Sequence, residues 1–198
     1  LLILAKYTDH QEGYIFALAQ FASNFSAANA SAYSVFIQDN LGPAASLVAK
    51  SYPLSRLNAS SLPVPTAIST IITDAAYKCP AYRGLSRALQ NNIPVWAYEF
   101  QHTSSCTWLG TLPQEALSLV GATHTGEIPF VFGNLQNQPV PNGSCNATAQ
   151  ELGISRSLQD AWTAMAANAD PSTAAVTWPL YSNSSMNRST PQGLVVVN

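Results

Sequence analysis

Residues 93–100 set Val95, Ala97 and Glu99 against Trp96, Tyr98 and Phe100, the two-residue period of a β-strand. This segment limits the fold more than any other, because long helical stretches separate it from its nearest strand candidates. Residues 1–8 form a short apolar run closed by a polar turn, and residues 193–197 form another. Between them, helical spacing is expected at 14–22, 34–41 and 44–50, with Gly42-Pro43 and Tyr52-Pro53 as breaks. After a loop at 58–65, Ala67, Ile68, Ile71, Ile72, Ala75, Ala76 and Cys79 recur as one face of a helix. Pro80 then starts a second helical piece, which Asn91-Asn92 stops. Residues 101–123 read mostly as loop, 128–132 as a short apolar segment, and 135–146 as a loop rich in Pro, Asn and Gly. A last helix at 149–167 carries Leu152, Leu158, Trp162, Met165 and Ala166 as its buried stripe. Strands spaced by helices predict an α/β sheet. Three strands cannot cover their own faces, so this sheet is expected to need neighbours from elsewhere.

With 198 residues, no internal repeat and no second boundary, the chain is about one domain or a large piece of one. It opens inside an apolar strand, with neither an initiator Met nor the basic start of a signal peptide. It therefore reads as part of something longer, with any secretion signal upstream.

Charged residues are only 9% of the chain and the net charge is −2. A nucleic-acid binder needs a basic stripe to neutralise phosphates, so that class is excluded. The apolar runs at 1–5 and 194–197 fall far short of the roughly 20 residues that span a bilayer. Ser, Thr, Asn and Gln replace charge on the surface. Asn-x-Ser/Thr sequons begin at Asn24, Asn29, Asn58, Asn142, Asn146, Asn183 and Asn187. Seven such sites predict a secreted glycoprotein, whose glycans help keep a charge-poor surface in solution. Cys106 and Cys145 both sit in polar loop surroundings, so in an oxidising compartment these two are expected to pair. Cys79 is then a buried free thiol or is bonded elsewhere.

Three histidines bound the chemistry. His124 lies in a Gly-rich loop, Gly121-Ala122-Thr123-His124-Thr125-Gly126-Glu127, where an imidazole can face a cleft as a general base. His102 follows the strand at 93–100 and is the rival. Glu12, just beyond the first strand in His10-Gln11-Glu12-Gly13, is the matching acid, with Asp9 a second candidate at that turn. His10, Glu12, His124 and Glu127 could be written as metal ligands, but they lack paired ligand spacing, and no metal is expected. No nucleophile elbow is present. Gly84-Leu85-Ser86-Arg87-Ala88 and Gly153-Ile154-Ser155-Arg156-Ser157 both lack the final Gly, follow no strand and come after the acid.

Residues 121–133, Gly-Ala-Thr-His-Thr-Gly-Glu-Ile-Pro-Phe-Val-Phe-Gly, resemble the segment that carries the catalytic histidine in the type-B carboxylesterase/lipase family, which includes the cholinesterases. Thr73-Asp74 through Cys79-Pro80, Tyr98-Glu99-Phe100-Gln101-His102, Trp162 and Trp178-Pro179-Leu180-Tyr181 follow in the family's order. The resemblance implies that residues 1–198 are the C-terminal portion of a single α/β-hydrolase domain, holding the last strands of its central sheet. It implies Glu12 as triad acid, His124 as base and Glu127 as a supporting glutamate, and it assigns His102 to a non-catalytic position. One departure is Gln11, where the family often has an acidic residue. The implied protein is a secreted serine hydrolase acting on small-molecule or lipid carboxylic esters. It needs no cofactor, and its serine and oxyanion hole come from a missing N-terminal part. Some relatives have lost the triad and serve as binding or adhesion proteins, and an inactive fragment is the remaining alternative.

Overall fold

The computed structural model describes residues 3–7, 12–20, 28–57, 62–110, 117–182 and 194–197. Strands β1 (Ile3–Tyr7), β2 (Val95–Phe100) and β3 (Leu194–Val197) form one parallel sheet in the order β1-β2-β3. Ile3 pairs with Val95 and Tyr7 with Glu99 on one side; Ala97 pairs with Leu194 and Phe100 with Val197 on the other. Parallel neighbours need crossovers, and helices supply them. These are α1 (Tyr14–Gln20), α2 (Ala30–Leu41), α3 (Ala45–Ser51), α4 (Pro63–Ile72), α5 (Cys79–Gln90), α6 (Leu117–Val120), α7 (Ile128–Phe132) and α8 (Ala149–Asn168). Among the described residues, no helix is long and apolar enough to cross a membrane.

Every residue of β2 is buried, so its alternation does not separate a wet face from a dry one. Trp96, Tyr98 and Phe100 pack with Phe130 of α7, Leu158 and Ala161 of α8, and Trp178. Val95 and Ala97 pack with Leu85 and Ala88 of α5 and with Tyr181. Helices of this chain thus cover both faces of β2, where the sequence led us to expect exposed faces. Burial on both sides is the usual condition of a parallel strand. A separate cluster joins Ala17 of α1, Tyr33 and Ile37 of α2, Ala45 of α3, and Val64, Ala67, Ile68 and Ile71 of α4.

Residues 63–90 run as one helical rod rather than two pieces. A π turn, Thr73–Lys78, joins α4 to α5. Pro80 explains it. Proline has no N–H to give, and its ring crowds the carbonyl one turn back. The bonding widens to a five-residue step just upstream, where the Cys79 N–H reaches the Asp74 carbonyl. The apolar segment at 128–132 is the short helix α7, stopped at Gly133, whose φ of +71° suits glycine. On α8 the buried residues include Ser155, Leu158 and Ala161, whereas Trp162 is 40% exposed and lines a groove.

Candidate functional site

The turn after β1 carries Glu12, and close packing fixes that turn. A Cβ on Gly13 would lie 2.6 Å from the Ser69 carbonyl oxygen and 2.8 Å from the Ile72 Cβ, so only glycine lets the turn dock on α4. The Gly13 N–H donates to Thr73 Oγ1 at 2.8 Å, inside the protein. The partner loop comes from 112 residues further along the chain. His124 donates its backbone N–H to the Glu12 carbonyl at 3.3 Å, and the Thr123 hydroxyl approaches the same oxygen at 3.4 Å. Thr125 holds a positive φ of +68°, and its hydroxyl accepts from the Trp108 indole N–H at 3.0 Å. The loop is therefore clamped independently of its imidazole.

That imidazole meets the acid. His124 Nδ1 lies 2.8 Å from Glu12 Oε1, across 112 residues of sequence. The Glu12 side chain is 3% exposed and that of His124 is 35%, so the carboxylate is inside and the ring stands at the surface. Phe16 and Tyr77 flank the ring with centroids 5.3 and 5.1 Å away, both tilted. A buried carboxylate on Nδ1 fixes the tautomer with the proton on Nδ1 and leaves Nε2 basic. Such an arrangement can take a proton from a neighbouring hydroxyl and hold the resulting imidazolium.

Glu127 lies three residues on, in a different wall. It shares a groove of about 630 Å³ with Tyr98, Ile128, Phe132 and Trp162, among others. Burial first, and then the charges of Glu127 and Glu12, push the Tyr98 hydroxyl far above its ordinary range. His102 stands apart from Glu12. Its Nε2 lies 3.3 Å from Glu151 Oε1, and its ring sits edge-on to Phe100 and Phe130. Glu151 also accepts from the backbone N–H and hydroxyl of Ser105 and from those of Thr148. Burial opposes its charge, but these donors prevail and hold the carboxyl down at about 2.

Cys106 and Cys145 form a disulfide with their Cα atoms 5.7 Å apart, while Cys79 is exposed rather than buried and pairs with neither of them. Of the sequon residues, Asn29, Asn142 and Asn146 are exposed. Asn29 caps α2, accepting from the Ser31 and Ala32 N–H groups. Asn146 accepts from the Asn137 N–H. Asp9, His10, Gln11, Asn24, Asn58, Asn183 and Asn187 lie outside the described residues. Among the described residues, no three His, Cys, Asp or Glu side chains gather as a metal site would require.

Sequence reasoning missed the roles of Phe16, Thr73, Tyr77 and Glu151. The Thr148-x-x-Glu151 pattern is a capping-box signature that could have marked Glu151; the structure shows both of its reciprocal bonds. No local pattern marks Tyr77, because its partner lies on a loop far along the chain.

Parallel strands with helices on both faces of the central one, and a histidine loop docked on the turn at Glu12-Gly13, define an α/β protein with a composite acid–imidazole site. The family follows from comparison with known proteins: the carboxylesterase family model matches residues 18–192, and the chain belongs to that family, whose fold is that of the α/β-hydrolases. It is 39% identical over 89 residues to a medium-chain fatty acyl-CoA hydrolase precursor of Anas platyrhynchos, covering 44% of this chain and 14% of that protein. It is 33% identical over 111 residues to the para-nitrobenzyl esterase of Bacillus subtilis (strain 168), covering 56% and 20%. With the acetylcholinesterase of Bungarus fasciatus it shares 31% over 122 residues, covering 60% and 18%. The matched region thus spans a fifth or less of each of these relatives.

Proposed function

We propose that this chain is the C-terminal portion of a single α/β-hydrolase domain and supplies the acid and the base of a serine carboxylic-ester hydrolase. One observation carries the reading: Glu12 Oε1 and His124 Nδ1 stand 2.8 Å apart, brought together from 112 residues away. Family membership supports the reaction class. In the mechanism, a serine from outside these 198 residues attacks the ester carbonyl while His124 Nε2 takes its proton. The tetrahedral intermediate collapses, the imidazolium hands that proton to the leaving alkoxide, and an acyl-enzyme remains. Water, deprotonated by the same nitrogen, then releases the acid and restores the serine. Glu12 holds the ring in the working tautomer and balances its positive charge, and Glu127 supports the site from the neighbouring groove.

The substrate is a small-molecule or lipid ester, and the chemistry calls for neither metal nor organic cofactor. The sequons and the disulfide support a secreted, glycosylated protein. The test is turnover of a p-nitrophenyl ester. The intact enzyme should hydrolyse it and be stopped by a serine-directed phosphonate, whereas the 198-residue chain alone should give no rate above background. Phosphonate-sensitive turnover by the chain alone would overturn the assignment of the serine to another part.

A further inference from the structure

We propose that the π turn Thr73–Lys78 is the positioning element of the acid–histidine pair, with Thr73 and Tyr77 as its two working side chains. The proposal rests on the reading of Glu12 and His124 as acid and base. It adds two residues that act through that pair.

Thr73 is fully buried, and its Oγ1 accepts the Gly13 N–H at 2.8 Å. That N–H belongs to the residue next to Glu12, in a turn already pressed against Ser69 and Ile72. Loss of the acceptor would strand a buried donor and release the turn that aims the carboxylate. Four residues further on, Tyr77 lies over the other member of the pair. Its ring centroid is 5.1 Å from that of His124 at 45°. Phe16 closes the cluster, 5.3 Å from His124 and stacked on Tyr77 at 6.2 Å. One turn of helix thus grips the acid's backbone through a hydroxyl and the base's ring through an aromatic face.

The chemistry fits the demand. A single hydrogen bond at Nδ1 leaves a surface imidazole free to tilt about that bond, and two aromatic rings packed close to it restrict that freedom. Both centroids lie within the roughly 6 Å at which an aromatic ring attracts a cation. Tyr77 and Phe16 therefore favour the imidazolium that forms during turnover. Burial first, and then the charge of Glu12, raise the Tyr77 hydroxyl above its ordinary range, so this ring stays neutral. The wider hydrogen-bond step of the π turn is the backbone feature that sets Thr73 and Tyr77 in this relation, and π turns recur at functional sites.

The test is NMR of the intact enzyme labelled with ¹⁵N-histidine, reading the His124 tautomer and the exchange rate of its Nδ1 proton. Thr73→Val should speed that exchange at least tenfold and mix the tautomers, and Thr73→Ser should restore both. Tyr77→Leu should speed exchange similarly, while Tyr77→Phe should match wild type. Tyr77 is half-buried, so its variants carry the test if Thr73→Val fails to fold. Exchange within twofold of wild type in Tyr77→Leu would overturn the proposal. If wild-type His124 carries no proton on Nδ1, the acid–base reading itself falls instead.

Discussion

Glu12 meets Nδ1 of His124 at 2.8 Å, and Glu151 meets Nε2 of His102 at 3.3 Å. Both are carboxylate–imidazole pairs with the carboxylate inside, yet their surroundings differ. Glu151 receives donors from Ser105 and Thr148, which hold its carboxyl at about 2, and the imidazole is one more neighbour. Its charge is committed to tying the start of α8 to the loop beside the disulfide. Glu12 is aimed at the Nδ1 of a ring that stands 35% exposed. What separates the two pairs is which ring nitrogen is held and what else the carboxylate serves.

The contrast can be broken most sharply at His124. In the intact enzyme, His124→Ala should lower kcat by about 10⁴-fold or more, since no other group is placed to take the serine proton. Glu12→Gln should cost about 10²–10⁴-fold in kcat with the thermal unfolding curve little moved, because the amide keeps the shape and loses the charge. On the other side the effects should be on stability. Cys145→Ser opens a link between residues 39 apart and should cost about 3–4 kcal/mol in denaturant unfolding.

Glu151→Ala should cost about 1–2 kcal/mol, since it removes the acceptor that Ser105 and Thr148 share, and kcat per folded molecule should stay within about twofold. The same residue gives a pH signature. Its folded pKa of about 2 lies below the ordinary 4.5, so its contribution is complete above that value and fades as pH falls toward about 2. Glu151→Gln should flatten this acid limb of the stability curve. His102→Ala should have the smallest effect, about 1 kcal/mol with turnover retained. A collapse of activity in His102→Ala with His124→Ala unaffected would reverse the two assignments.

Local chemistry made much of this legible. The strand at 93–100, the helical face of Ala67, Ile68 and Ile71 and the Gly-rich loop around His124 can be read from spacing alone, whereas Ala75, Ala76 and Cys79 of the same pattern are exposed. Trp162 could not, because period marks a face and not its cover; Ala161 and Leu158 take the core while the indole lines the groove. The π turn escaped for a related reason. Pro80 announces a disturbance, but whether the rod breaks or widens depends on what holds its two ends. The choice between His102 and His124 is also tertiary. Spacing left both open, the family resemblance favoured His124, and the structure brings Glu12 to that ring.

The π turn also limits how this segment can change in length. Helices α4 and α5 form one rod, but the widened turn sets their faces out of angular step. Ala67, Ile68 and Ile71 face the cluster with α1, and Leu85 and Ala88 face β2. Removing one residue between 73 and 78 would restore the ordinary step and rotate one end by about 100° relative to the other. Either α4 or α5 could then keep its seat, but not both. The residue count here behaves like a reading frame: substitutions can drift, whereas a single insertion or deletion throws everything downstream out of phase.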